Sequence, residues 1–239
     1  MNGLIYIISA PSGSGKSTLV NELRKVVAGL EFSISYTTRK PRGSEQNGRE
    51  YYFVSREEFD RMLRRDEFLE HAEVFGNHYG TARRFLDDAN RRGQDLLLDI
   101  DVQGAAQIKG RLPEAITIFV LPPSREELQR RLHRRSDADA LAGHPVTEET
   151  IQRRLQTATK EIEKYPEYDY ILVNDRLEQS IDALKAIVLS ERLTRSGKSL
   201  SEQEQMMVSM ADACKQQNMR PRLQSILKSF GLPPAPSGD

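Results

Sequence analysis

Tryptophan is absent from this chain and cysteine occurs once, at Cys214, so no internal disulfide can form and no thiolate pair is available to a metal. Histidine is scarce as well. His71, His78, His133 and His144 lack ligand spacing, which leaves them as structural or surface residues. No apolar run approaches the ~18 residues of a membrane span, and the opening MNGLIYIIS has neither the basic start nor the long apolar stretch of a leader. An excess of one charge is missing too. Lys+Arg and Asp+Glu both number 35, so no global field draws the chain to nucleic acid or to a membrane. These absences predict a soluble, cytoplasmic protein without nucleic-acid or membrane partners. What is present is 239 residues, 38% hydrophobic and 29% charged, enough for one core with insertions or a core with a small appendage.

Four short apolar runs read as buried strands: LIYIIS (4–9), DLLLDI (95–100), AITIFVL (115–121) and YDYILVN (168–174). They are nearly continuous rather than alternating, the pattern of a parallel sheet covered on both faces. Helical periodicity follows over 17–28, stopping at Gly29, and again over 147–164 and 177–193. Ser124 opens a further helix through a capping box in which Glu127 reaches back. Strands alternating with helices predict an α/β fold, a three-layer sandwich with right-handed crossovers around a parallel central sheet.

The segment from Glu31 to Gly93 breaks that rhythm. FSISYTT, EYYFVS and LEHAEVF are short and of mixed polarity, with PRGSEQNG between the first two and a helix capped by Ser55 before the third. A small, partly antiparallel insert is expected there. SDADALAGHPV (136–146) reads as a polar break between two arginine-rich helices. Beyond Ser196 the chain predicts two more helices, over 201 to about 216 and around the stripe Leu223, Ile226, Leu227 and Phe230. That stripe is expected to pack on its own domain or on a second copy of the chain.

Between the first strand and the first helix lies A-P-S-G-S-G-K-S, residues 10–17, one residue away from G-x-x-x-x-G-K-[ST]. Glycines let backbone N–H groups converge on an anion, and a helix starting near Lys16 aims its positive end at the same point. Ser12, Gly13, Ser14, Gly15, Lys16, Ser17 and Thr18 are the candidate triphosphate contacts. Lys16 would reach the β/γ-phosphates and the Ser17 hydroxyl would sit on Mg²⁺. Many reaction classes share such a loop, so the acceptor has to be read elsewhere.

A second set of anion contacts lies in the insert. S-Y-T-T-R-K-P-R (35–42) places Arg39 and Arg42 three apart around a stiffening proline, a clamp for a second phosphate. Tyr51 and Tyr79 add hydroxyl donors, Glu70 is a carboxylate among apolar neighbours, and Asp99 and Asp101 stand at the carboxyl end of a strand. With APSGSGKST, SYTTRKPR, FLEHAEVFGNHYGT, LLLDIDVQG, LPPS and YDYILVND on the page, the chain resembles the guanylate kinases from about residue 4 to 193.

The resemblance implies a P-loop core (1–32, 93–124 and 156–195), a GMP-binding insert (33–92), a lid (125–155) and an extension of unassigned role (196–239). It further implies transfer of a phosphoryl group from Mg-ATP to GMP. Arg39, Arg42, Tyr51 and Tyr79 would hold the GMP phosphate, while Ser35, Glu70, Thr81 and Asp101 would face guanine. Asp99 would serve substrate binding and catalysis beside Lys16 and Arg39. Arg131, Arg135 and Arg154 fall on the lid positions that neutralise the γ-phosphoryl in flight. Insert and lid are expected to close over both substrates, excluding water. Two other readings stay open: a small kinase for another nucleotide or a sugar phosphate, and a non-enzymatic phosphopeptide-binding module.

Overall fold

In the computed structural model, which describes residues 3–43, 45–141 and 146–235 (138–141 by backbone alone), all four apolar runs form strands. In chain order the elements are β1 (Ile5–Ser9), α1 (Lys16–Val26), β2 (Leu30–Ser33), β3 (Tyr36–Thr37), β4 (Tyr52–Phe53), α2 (Arg56–Arg64), β5 (Phe68–Val74), β6 (Asn77–Ala82) and α3 (Arg84–Arg92). They continue with β7 (Asp95–Asp99), α4 (Val102–Arg111), β8 (Ile116–Leu121), α5 (Arg125–Leu141), α6 (Glu148–Ile162), β9 (Tyr170–Val173), α7 (Leu177–Ser196), α8 (Glu202–Ala213) and α9 (Arg220–Ser229). The class is α/β, as expected. The chain forms two compact units, one built from residues up to Ser9 with Ala28–Thr117, the other from Ala10–Val27 with residues from Ile118 on.

In the first unit β1 and β2 both run parallel to β7, with Ile5 opposite Leu96 and Leu30 opposite Asp95. Tyr6, Ile7, Ile8, Leu97 and Leu98 are wholly buried, which is why these runs carry no polar alternation. FSISYTT divides between two sheets. Its first part belongs to β2, while β3 enters a separate sheet of order β4-β3-β6-β5. There β6 pairs antiparallel with β3 and β5, and β3 pairs parallel with β4, so the insert is partly antiparallel as expected. Its own core stacks Phe59 of α2 on Phe68 of β5 at 4.6 Å, with Met62, Tyr36 and Val54 around them. Ser55 caps α2 by accepting from the Glu58 N–H at 3.1 Å. Strand β6 and helices α3 and α4 have no counterpart in the periodicity reading.

In the second unit β8 runs parallel to β9, Ile118 opposite Tyr170. Helix α5 differs from expectation twice. Ser124 does cap it, accepting from the Glu127 N–H at 3.2 Å, but the Glu127 carboxylate does not reach back. It turns along the helix to Arg131, at 2.7 Å, and to Arg130, because charged donors three and four residues on outbid a neutral N–H. The Ser124 hydroxyl instead meets the Glu126 carboxylate and holds it below the usual range. The helix also runs on to Leu141, through residues assigned to the break, since S-D-A-D-A-L contains no breaker. The Gly and Pro of that segment fall in 142–145, outside the described residues.

The tail packs on its own unit. After α8, which starts on a complete capping box of Ser201 and Glu204, the chain lies along the edge of β9. Ile171 N–H donates to the Cys214 carbonyl at 2.8 Å, and Gln216 N–H to the Asp169 carbonyl at 3.0 Å. Leu223, Ile226, Leu227 and Phe230 are all buried, and the Ser229 hydroxyl accepts from the Arg125 N–H at the start of α5 at 3.0 Å. No helix among the described residues is long and apolar enough to cross a membrane.

Candidate active site

The glycine loop belongs to the second unit. Ser14 N–H folds back on the Pro11 carbonyl at 3.1 Å, and the chain then passes Gly13 and Gly15 with φ of 95° and 90°, a region that penalises any Cβ. Space is refused as well. A Cβ on Gly15 would stand 2.3 Å from Asn174 Nδ2, and one on Gly13 would stand 3.0 Å from Leu128 and Leu132 of α5. Helix α1 opens at Lys16 with no side-chain cap and no acidic residue in its first turn, leaving its positive end to an external anion. The Ser14 hydroxyl is buried without a partner, an orphan that a phosphate oxygen would satisfy.

Two side chains fasten the loop. Asn174, just past β9 and buried, donates from Nδ2 to the Ser14 carbonyl at 2.8 Å. Arg131 of α5 donates to that same carbonyl at 3.3 Å, to the Asn174 carbonyl at 2.9 Å and to Glu127 at 2.7 Å. The structure therefore brings Arg131 to the loop with its guanidinium already oriented. Arg135 is exposed on α5, and Arg154 is half-buried on α6.

The acceptor candidates belong to the first unit and form two groups. In one, Arg39 is 8% exposed and donates to Glu45 at 3.0 Å and to the Lys40 carbonyl at 2.7 Å. Its guanidinium lies 5.3 Å from the Tyr51 ring and 5.7 Å from the Phe53 ring, and Tyr51 meets Tyr79 edge-on at 5.8 Å. Burial works against the Arg39 charge, yet the Glu45 bond and charge raise its pKa above the usual value. Burial, with the Asp99 charge nearby, pushes the Tyr51 phenol up to about 12, so it stays a proton donor. Arg42 is exposed, and its N–H donates to the second Glu45 oxygen at 2.8 Å. Glu45 thus holds the Arg39 guanidinium and the Arg42 backbone.

In the other group, Glu70 is 3% exposed on β5, directly opposite Thr81 of β6. The Thr81 hydroxyl is buried without a partner. Asp101 caps α4 by accepting from the Gly104 N–H at 2.8 Å, and Ser35 is buried between β2 and β3. Asp99 ends β7, half-buried. No group of three or more His, Cys, Asp or Glu among the described residues could hold a metal unaided.

Glu45 and Asn174 hold candidate site residues in place and had no role in the sequence reading. Glu45 resembles any carboxylate in a polar turn. Asn174 left one signal, a polar residue closing a fully apolar strand at its carboxyl end, where sheets of this class bind ligands.

The family model described as guanylate kinase matches residues 3–191. A guanylate kinase of Koribacter versatilis (strain Ellin345) is 62% identical over 230 residues, covering 96% of this chain and 97% of that protein. One from Escherichia coli O157:H7 is 47% identical over 196 residues, 81% of this chain and 91% of its own length. The crystal structure of guanylate kinase from Anaplasma phagocytophilum aligns with a TM-score of 0.65 at 37% identity, over 79% of this chain and 86% of that one.

Proposed function

The chain belongs to the guanylate kinase family, and from that membership we propose that it transfers the γ-phosphoryl of ATP to GMP, giving GDP and ADP. The observation that carries the acceptor assignment is Glu70, a carboxylate 3% exposed and set opposite an unpartnered threonine hydroxyl. Guanine offers N1–H and N2–H₂ as adjacent donors, which one carboxylate accepts together, while a hydroxyl donates to O6. Adenine lacks that donor pair and offers the carboxylate no such paired contact.

ATP is taken by the glycine loop, with Lys16 on the β/γ-phosphates and the Ser14 hydroxyl given its missing partner. Mg²⁺ suits this loop. It takes few protein ligands, and the exposed hydroxyl of Ser17 would be the one to hold it beside the phosphates. Bound with ATP, the ion supplies neutralisation of the β,γ-oxygens. The attacking group is a GMP phosphate oxygen whose second pKa is about 6, so it is mostly ionised at neutral pH and needs no general base. Arg39 and Arg42, with the Tyr51 and Tyr79 hydroxyls, fix that phosphate, and Arg131, Arg135 and Arg154 offset charge on the phosphoryl in transit.

The test is ADP release with ATP and each of GMP, AMP, CMP, UMP and ribose 5-phosphate. Turnover with GMP well above the no-acceptor background, and with none of the others, is expected. Equal turnover with AMP would refute the guanine assignment, and no turnover with any acceptor would favour a binding module.

Tyr51 adds a pH prediction. Its phenol is raised to about 12 in the folded chain against ~10 when unfolded, so the stability this brings is complete below pH ~10 and is lost as pH rises through about 12. Accordingly, KM for GMP measured from pH 7 to 8.5, below the ionisation of guanine N1–H, is expected to stay flat, in Tyr51→Phe as in the parent, with the variant shifted upward throughout. A parent KM that climbs in that window while the Tyr51→Phe KM stays flat would show the phenol ionising there.

A further inference from the structure

Helix α4 carries two glycines, an arrangement that weakens a helix unless the sites require it. They are not equivalent. A Cβ on Gly110 would meet nothing within 4 Å. A Cβ on Gly104 would stand 2.5 Å from Glu70 Oε2 and 2.9 Å from Glu70 Cδ, with Asp101 Oδ1 at 3.4 Å. Gly104 has no left-handed backbone to explain it, since it sits in the first turn of a regular helix behind the Asp101 cap. What singles it out is the carboxylate lying on it.

Glu70 cannot yield by moving its strand. The backbone on either side is tied to the same face of α4: Gln107 donates from Nε2 to the His71 carbonyl at 2.8 Å and accepts from the His71 N–H at 3.3 Å, while Arg111 donates to the Leu69 carbonyl. Residues 104, 107 and 111 share one helical face. Helix and strand are therefore held at a fixed separation on both sides of Glu70, and only a residue without a side chain leaves room for its carboxylate between them.

We infer that Gly104 is a specificity-determining residue that positions Glu70 for the acceptor base, by supplying the gap in which the carboxylate rests. The inference rests on the guanine assignment made above. A methyl group at 104 forces the Glu70 carboxyl group to rotate away, since the strand bonds prevent retreat, and the paired acceptor for N1–H and N2–H₂ is lost while the helix itself gains. Local helix preference and the site thus pull in opposite directions at this position, as expected where function and not stability chooses the residue.

The test compares Gly104→Ala with Gly110→Ala, the same change on the same helix, and with Glu70→Gln and the double variant Glu70→Gln, Gly104→Ala. Steady-state kinetics with GMP, AMP and ATP and a thermal melt are read for each. Gly104→Ala is expected to lower kcat/KM for GMP about 30- to 100-fold, mostly through KM, the scale of a lost charged hydrogen bond. The GMP-to-AMP ratio should fall in step, with KM for ATP and melting temperature not worsened. Gly110→Ala should match the parent, and on the Glu70→Gln background the alanine should cost less than about 3-fold, because its effect runs through that carboxylate.

Parent-like GMP kinetics in Gly104→Ala would overturn the inference. So would a full effect persisting without Glu70, or a lowered melting point with raised KM for ATP, which would mark damage spread beyond the site. If the unmodified chain fails to turn over GMP, the functional reading itself falls and this inference falls with it. That outcome is distinguished because it is seen before any variant is made.

Discussion

Replacing both Arg39 and Arg42 with alanine is expected to lower kcat/KM for GMP about 10⁴-fold, the cost of two charged contacts to one phosphate at about 1.5–3 kcal/mol each. Arg39 should contribute the larger part. It is buried, stacked beside Tyr51 and Phe53, and pinned by Glu45 at 3.0 Å, so its fork needs no ordering when the phosphate arrives. Arg42 is exposed and pays more entropy to engage. Arg39→Lys keeps the charge but not the planar fork, and should still cost on the order of 10²-fold. Part of any Arg39→Ala effect comes from taking away the guanidinium partner of Glu45. The variant Glu45→Gln separates that part and is expected to cost no more than about 10-fold, since the arginine charge remains. Initial rates at limiting GMP and saturating ATP measure all four. A double alanine variant as fast as the parent would mean that this turn does not bind the acceptor phosphate.

How far the fold was legible follows from what each residue answers to. Strands β1, β7, β8 and β9 announce themselves because burial on both faces leaves them nearly continuously apolar, with Ser9, Asp95, Asp99 and Thr117 at or next to their ends. The cap Ser55 was legible because a cap acts within three residues of itself. Strand β6 was not. Its Gly80 is required by Phe68, whose ring a Cβ would meet at 2.8 Å, and glycine in a strand reads as a turn. Helix α4 was lost for the same reason, its Gly104 answering to Glu70.

The candidate site divides along the same line. The phosphate loop is a local motif and could be read outright, whereas Asn174 acts on a carbonyl 160 residues away and left almost no local trace. Glu127 shows how a local rule misleads. The capping-box spacing is present, but Arg131 competes for the carboxylate and wins, and that choice is what orients Arg131 toward the Ser14 carbonyl. A broken local pattern here marks a contact of the candidate site.

The C-terminal segment gives the other large expectation. Ending the chain after Arg195 removes Leu223, Ile226, Leu227 and Phe230, four buried side chains worth about 1.5–3 kcal/mol each. The sum, roughly 6–12 kcal/mol, is an upper bound comparable with the whole stability of a typical domain, about 5–15 kcal/mol. The truncation also strips the Cys214 and Gln216 hydrogen bonds from β9, exposing a strand edge inviting association, and takes the Ser229 hydroxyl from the first turn of α5. Because α5 carries Arg131 and β9 leads into Asn174, the phosphate loop loses its fastenings along with the tail. The shortened chain is therefore expected to lack the parent's cooperative melting transition, to associate on sizing, and to show no saturable turnover with ATP. Single changes should grade the effect. Leu223→Ala, at a wholly buried position, should cost about 2–5 kcal/mol, and Ser229→Ala about 1 kcal/mol. A truncated chain that melts, migrates and turns over as the parent does would show that these helices add nothing to the folded unit they cover.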